Sequence, residues 1–207
     1  MNSRSQQSER KTKAARSTAS AAVETSRLVF RPVDRQTWPD FAALFEERGG
    51  PKSCWCMVWR ATPGEAKARD GASRRAQIEA RVEAGAPIGL LAYCEAKPIA
   101  WCSIAPRETY RPLGGPPAAP DEKIWSIVCF FIKRSWRGQG LAASLIEAAA
   151  AEAARRGATT IEAYPVDPNS PSYRFMGFVP LFEAAGFREV GQAGARRRVM
   201  RRTAARS

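Results

Sequence analysis

The segment from Ile124 to Pro165 constrains the fold more than any other. Ile124-Trp125-Ser126-Ile127-Val128-Cys129-Phe130-Phe131-Ile132 has no alternation of polar and apolar residues, the pattern of a central strand covered on both faces. Beyond the turn Arg137-Gly138-Gln139-Gly140, the residues Leu141, Leu145, Ala149 and Ala153 share one row at helical spacing, with Ile146 beside them. That spacing predicts a helix from about Gly140 to Arg156, stopped by Gly157. Residues 160–165 then read as another strand. A helix linking two strands of one sheet is a crossover connection, so these strands are expected to be parallel.

The flanking sequence supplies the partners. Residues 27–33 read as a strand closed by Pro32, followed by a helix from about Thr37 with Phe41, Leu44 and Phe45 on one face and Gly49-Gly50-Pro51 as its stop. A second, largely exposed helix is expected between about Pro63 and Ala84, where Ile78 and Val82 sit one turn apart among charges. Residues 88–94 and 98–104 suit an antiparallel hairpin about Glu95-Ala96-Lys97. Residues 106–121 form a loop rich in Pro and Gly, residues 179–185 a short helix, and residues 188–190 and 197–200 a closing hairpin. The expected class is α/β (α+β): a mixed, mostly antiparallel central sheet of about seven strands, one parallel pair at the βαβ crossover, and about four helices.

Length and composition fit one domain. The chain has 207 residues, 44% hydrophobic and 26% charged, enough to bury a sizeable core. Residues 1–26 have no large apolar residue before Val23 and cannot offset their ordering entropy; they are expected to be a disordered basic arm, followed by a folded domain over 27–202 and a flexible end at 203–207. The net charge of +13 is concentrated at the ends, with +3 in residues 1–26, +6 in the last thirteen and +4 between. Basic tails of this kind argue against nucleic acid as the main partner, whereas DNA binding would draw on the arginine-rich C-terminus. No apolar run approaches a membrane span. Five cysteines and no histidine fit reduced thiols in a cytoplasmic protein and leave the pair Cys54/Cys56 short of metal ligands. No metal is expected.

The chemistry sits at the turn before the long helix. A buried strand that enters a glycine turn and then a helix presents unpaired N–H groups at the positive end of the helix. Gly138 and Gly140 let an anion approach the backbone, and Arg137 adds a charge. Gly138-x-Gly140-x-x-Ala143 also satisfies a dinucleotide fingerprint with Glu162 downstream, but too few residues follow for a Rossmann domain. An NTPase loop would need Gly-Lys-Ser/Thr, and Gly140-Leu141-Ala142 does not supply it.

Arg137-x-x-Gly140-x-Ala142, in this position, together with the closing Leu181-Phe182-Glu183-Ala184-Ala185-Gly186-Phe187, resembles the GNAT superfamily of N-acetyltransferases over roughly residues 27–202. The segments 54–60 and 101–111 look like a little-characterised bacterial branch. The resemblance implies acetyl-CoA as co-substrate, held by Phe130, Phe131 and Ile132 along the pantetheine arm and by Arg137, Gly138, Gln139, Gly140, Leu141 and Ala142 at the pyrophosphate, with Asn169 as a further contact. It implies direct attack of the primary amine of a small molecule, or of a peptide, on the thioester, and it allows for a homodimer. The chain departs from the pattern at Phe182, where relatives often carry a tyrosine that protonates the departing thiolate; Tyr173 is the candidate replacement, with Tyr164 as a second. Glu122, at the entry of the central strand, is the candidate base. Trp55, Trp59, Arg107 and Tyr110, with Arg60, Trp101 and Arg111 nearby, are the candidate acceptor contacts, suited to a planar or acidic amine. A silent acetyl-CoA-binding module is the alternative that Phe182 raises.

Overall fold

A computed structural model describes residues 28–205; the basic arm at 1–26 lies outside them. Among the described residues the chain forms one seven-stranded sheet and four α-helices, in the order β1 (Val29–Pro32), α1 (Trp38–Glu46), α2 (Gly71–Glu83), β2 (Leu90–Cys94), β3 (Lys97–Pro106), β4 (Ile124–Ile132), α3 (Leu141–Arg155), β5 (Thr160–Ala163), α4 (Val179–Ala184), β6 (Arg188–Ala193) and β7 (Arg197–Thr203). The strands lie in the order β1-β2-β3-β4-β5-β7-β6. Only β4 and β5 are parallel, as the crossover requires; the other pairings are antiparallel. No helix among the described residues is long and apolar enough to cross a membrane.

Two boundaries differ from expectation. The second helix starts at Gly71 rather than near Pro63, because the Asp70 carboxylate accepts from Ser73 N at 2.7 Å and so caps it there. The segment before it folds back as a short 3-10 turn, Glu65–Lys67, with Glu65 paired to Arg81 at 2.8 Å. At the other end, β7 continues through Thr203, and Ala204 is buried and donates to Thr159 O. The ordered chain therefore passes residue 202.

The sheet divides the core. On one face α3 presents Leu141, Leu145, Ile146, Ala149 and Ala153 to β2, β3, β4 and β5, the stripe that its spacing predicts. On the other, α1 and α2 cover β2 and β3 with Phe41, Phe45, Ile78 and Val82, and Trp101 of β3 stands among them, fully buried.

The decisive irregularity is in β4. Its pairing with β3 slips at Val128, where Ser103 faces Cys129 and Ile104 faces Ile127. Its pairing with β5 ends at the same point, Ile127 with Ala163. A bulge bends a strand and sharpens its twist, so β4 and the chain after β5 separate beyond it. Residues 124–128 are buried, whereas 129–132 are half-exposed.

The packing of β2 on β3 leaves no room at Gly89, where a Cβ would meet Cys102 O at 2.2 Å and the Trp101 ring at 2.6 Å. Gly89→Ala should therefore destabilise the protein by about 3 kcal/mol through overpacking and strain, read as a lower urea midpoint at unchanged m-value. A loss under about 1 kcal/mol would show that the two strands can move apart at this point.

Candidate functional site

The turn between β4 and α3 is built from left-handed glycines. Gly138 has φ +76° and Gly140, the residue before the helix, φ +80°. A Cβ at either would meet nothing within 4 Å, so these positions need glycine for backbone conformation rather than for space, and the surface above them is open. No side chain caps the helix. Among the described residues nothing accepts from the N–H groups of Gly138, Gln139, Gly140, Leu141 or Ala142; the first bonds closed on the helix are Ala143 and Ser144 to Gly140 O. These consecutive free donors, at the positive end of a four-turn helix, suit an oxyanion carrying more than one charge. The Gln139 side chain is occupied by Ser135 O at 2.8 Å, and Arg137 Nε donates to Ile132 O at 2.9 Å, folding that guanidinium over the end of β4.

Beside this turn runs a cleft of about 650 Å³. One wall is Cys129, Phe130, Phe131 and Ile132, with Arg137 and Ala142 at its end. Past Ile127 no strand among the described residues stands on the β5 side, so every second residue of β4 turns its N–H and C=O toward the cleft. The second wall is Arg174, Phe175, Gly177, Phe178 and Leu181; the third is Pro51, Cys54, Cys56 and Val58. The last two walls were not legible as such. Gly177 is the signal for the first: with φ +88° and a Cβ that would strike the Phe182 ring at 2.8 Å, it must be glycine.

The third wall is strained. Trp55 and Cys56 are consecutive non-glycine residues with φ +48° and +54°, a costly conformation that persists only when its surroundings enforce it. Here the Trp55 ring stacks on Phe45 at 5.4 Å in the core, and Cys56 Sγ accepts from the Trp101 indole N–H at 2.9 Å. Trp55, expected to face an acceptor, is therefore a core residue with 2% exposure, and Trp101 likewise. Burial raises the Cys56 and Cys54 thiols above their ordinary values, which keeps them protonated. No group of three His, Cys, Asp or Glu side chains among the described residues is placed to hold a metal.

A second hollow, of about 590 Å³, lies under the Pro/Gly loop and is lined by Arg107, Tyr110, Arg111, Glu122 and Tyr164 among others. Its floor is a buried polar network centred on Glu162 of β5, which is fully buried. Arg201 Nε lies 2.8 Å and Arg107 3.4 Å from the same carboxylate oxygen, while the Tyr164 and Ser126 hydroxyls donate to the other. Pro116 O accepts from both arginines at 2.7 Å, and a Cβ on Gly115 would fall 2.8 Å from both the Glu162 carboxylate and the Tyr164 hydroxyl. The loop lies directly over the network. Tyr110 belongs to a second cluster, where Arg60 donates to its hydroxyl at 2.7 Å, to Ser103 and to Ile88 O. Burial pushes the Tyr110 hydroxyl up to about 12, and burial and the Glu162 carboxylate raise that of Tyr164 further.

The candidate acid and base stand apart from the cleft. Glu122 accepts from the Thr160 hydroxyl at 2.6 Å and from Ala119 N, and faces Arg201 at 3.5 Å. The Thr160 bond first of all lowers its pKa. It lies five residues before Ile127, about 17 Å along an extended chain, and lines the second hollow rather than the cleft. Tyr173, itself left-handed at φ +58°, packs near Trp59 and Phe175, both at 6.2 Å, and is not part of the cleft wall. Phe182 is fully buried between Phe130 and Phe187. Asn169 is exposed in a turn and does not reach the cleft.

The C-terminal arginines are not a tail. Arg198 pairs with Asp167 and Glu189, Arg201 with Glu122 and Glu162, and Arg202 with Glu147. These three of the six arginines at the C-terminal end are thus paired with carboxylates, Arg201 with the buried Glu162 and the other two at the surface, rather than standing free in a tail.

Residues 51–178 match the model of the acetyltransferase (GNAT) family. No curated protein matches the chain. Among solved structures, an N-acetyltransferase from Staphylococcus aureus Mu50 is 12% identical over 86% of this chain and 99% of its own, with a TM-score of 0.53. yncA from Salmonella typhimurium, solved with its cofactor acetyl-CoA, is 16% identical over 87% and 96%, TM-score 0.53. The GNAT domain of PAT from S. lividans is 18% identical over 84% and 89%, TM-score 0.54. At these identities the likeness is one of fold.

Removing the central carboxylate takes from the half-buried Arg107 its carboxylate partner and leaves Arg201 only the more distant Glu122, at 3.5 Å. Glu162→Ala should cost about 3–5 kcal/mol of stability, measured by urea denaturation. A change within about 1 kcal/mol would mean that the network is hydrated and holds nothing together.

Proposed function

Because the chain belongs to the GNAT acetyltransferase family, we propose that it transfers an acetyl group from acetyl-CoA to a primary amine of a small molecule, by direct attack in a ternary complex. The observation that carries this reading is the run of free N–H groups from Gly138 to Ala142 beside a cleft with an open strand edge. The donors fit a diphosphate. The half-exposed edge at Phe130–Ile132 fits an extended amide-bearing arm, which can pair with it as an added strand. The apolar walls at Phe175, Phe178 and Leu181 exclude water from that arm.

Bound there, acetyl-CoA supplies an activated acetyl carbonyl. The protein's part is to hold two reactants in register, the largest contribution available to a bimolecular acyl transfer. The acceptor enters from the second hollow. Its proton leaves through water to Glu122, which Thr160 keeps ionised and which is therefore a weak base. The thiolate departs without a tyrosine in the cleft wall. The catalytic domain is residues 27–202 with the end of β7, and the site of action is the cytoplasm.

Two measurements test this. Gly140→Asp puts a carboxylate at the anion seat and should weaken CoA binding at least about 100-fold, as loss of several helix-terminus contacts implies. Calorimetry on a variant with unchanged circular dichroism decides it: undiminished heat would remove the seat. Tyr173→Phe should reduce kcat less than about tenfold, against the about 10²–10⁴-fold expected of a proton-transferring group. A larger loss would return Tyr173 to the reaction. The alternative, a silent acetyl-CoA-binding module, follows from the absence of a hydroxyl donor among the cleft walls; CoA binding without CoA release across a broad amine panel would establish it.

A further inference from the structure

Between the cleft and the second hollow stands a partition that the cofactor reading leaves unexplained. Trp59 continues the third wall of the cleft, and its carbonyl accepts from Arg111 N at 2.7 Å, at the edge of the second hollow. The Arg197 guanidinium, from β7, lies over the Trp59 indole, 4.5 Å from the ring centroid. The same group faces the rings of Tyr173 at 5.5 Å and Tyr164 at 5.7 Å.

Arg197 differs from its neighbours on β7. Arg198, Arg201 and Arg202 each meet a carboxylate. Among the described residues the Arg197 side chain makes one hydrogen bond, to Leu113 O at 3.0 Å, and no acid pairs with it. Burial lowers its pKa. The adjacent Trp59 indole Nε1 is shielded from solvent and has no acceptor among the described residues, and Nε of the buried Arg60 has none there either. Arg60 is itself a cation bonded only to neutral oxygens. The half-buried Arg197 guanidinium and an idle indole donor thus adjoin with no anion between them, and Arg60, next to Trp59 in the chain, is a second cation without an acidic partner among the described residues. Withdrawing a charge from water without a partner is costly, and aromatic faces recover only about 0.5–2 kcal/mol of it. What the arrangement lacks is an oxyanion. A planar guanidinium fork with an N–H beside it matches the two oxygens of a carboxylate.

We propose that Arg197 and the Trp59 indole N–H seat a carboxylate of the acceptor, so that the acetylated amine belongs to a molecule of the amino-acid class. The inference rests on the N-acetyltransferase reading and adds the substrate class to it. Tyr164 borders this seat and immediately follows β5 at the point where β4 and β5 separate. Anchoring the carboxylate there holds the neighbouring amine toward the gap between the strands. Arg197 is thus a specificity residue that touches the acceptor, and Tyr173 is part of the cage that holds it.

Matched amine pairs test the seat: L-tryptophan against tryptamine, L-phenylalanine against phenethylamine, and L-methionine against 3-(methylthio)propylamine. CoA release is followed with acetyl-CoA, and each amine is titrated calorimetrically into the protein–CoA complex. At least one carboxylated member should bind and react at least about tenfold better than its twin, since a charge-assisted contact is worth that much. Arg197→Gln should abolish the preference by raising KM for the carboxylated member alone, Arg197→Lys should restore part of it, and the CoA affinity should stay as in the parent. Equal handling of the twins, an Arg197→Gln loss shared by both, or no member of the panel binding would overturn the proposal. Failure of the underlying reading looks different: CoA itself would give no heat.

Discussion

The site exists because a parallel strand pair comes apart. β4 and β5 are held together over four residues, from Ile124 with Thr160 to Ile127 with Ala163, and the extra residue at Val128 then turns β4 away. A continuous pair would have satisfied every main-chain group and left no groove. The bulge instead exposes an edge in the middle of a sheet, where edges are normally avoided, and aims it at the helix terminus formed by Gly138 and Gly140. One local irregularity thereby brings an amide-lined edge and a run of free helix-terminal N–H groups to a single cleft.

Holding that opening requires the sheet to be stiff on either side of it. On the far side Glu162 ties β5 to Arg201 of β7, while Arg107 and the Gly115-Pro116 loop close over them. On the near side Arg60 is buried beneath Tyr110 and Ser103, which ties the segment after α1 to β3. Both clusters place polar groups where apolar ones would pack as well, and a buried ion pair is weak evidence for added stability. Their value here is geometric, because each bond fixes one element at one height along the sheet.

Most of the architecture was legible in the sequence because periodicity reports burial directly. The unbroken apolar run at 124–132 and the spaced row from Leu141 to Ala153 fix the crossover, and the turn of free N–H groups before α3 follows from glycines whose positive φ no other residue adopts easily. The start of α2 was misplaced because Asp70, one of many polar residues there, acts as a cap only in three dimensions. Trp55 was misassigned for a similar reason: an aromatic residue beside cysteines looks the same in sequence whether it lines a groove or fills a core, and the left-handed turn that sends it inward leaves no mark in composition. The arginines of β7 read as a tail because their partners, Glu122, Glu147 and Glu162, are far away along the chain. Charge pairing between distant segments is the part of a fold that local pattern carries least.

The strained turn at Trp55 and Cys56 has a mechanical corollary. Because the Trp55 ring is lodged among Phe41, Phe45 and Trp38, the wall it carries cannot swing outward unless a tryptophan is pulled from the interior. The opposite side is edged by Phe175, which is 41% exposed and can shift with little loss of packing. Access to the groove is therefore lopsided, with one fixed jamb and one side free to give way, and a bulky guest gains its clearance at Arg174 and Phe175.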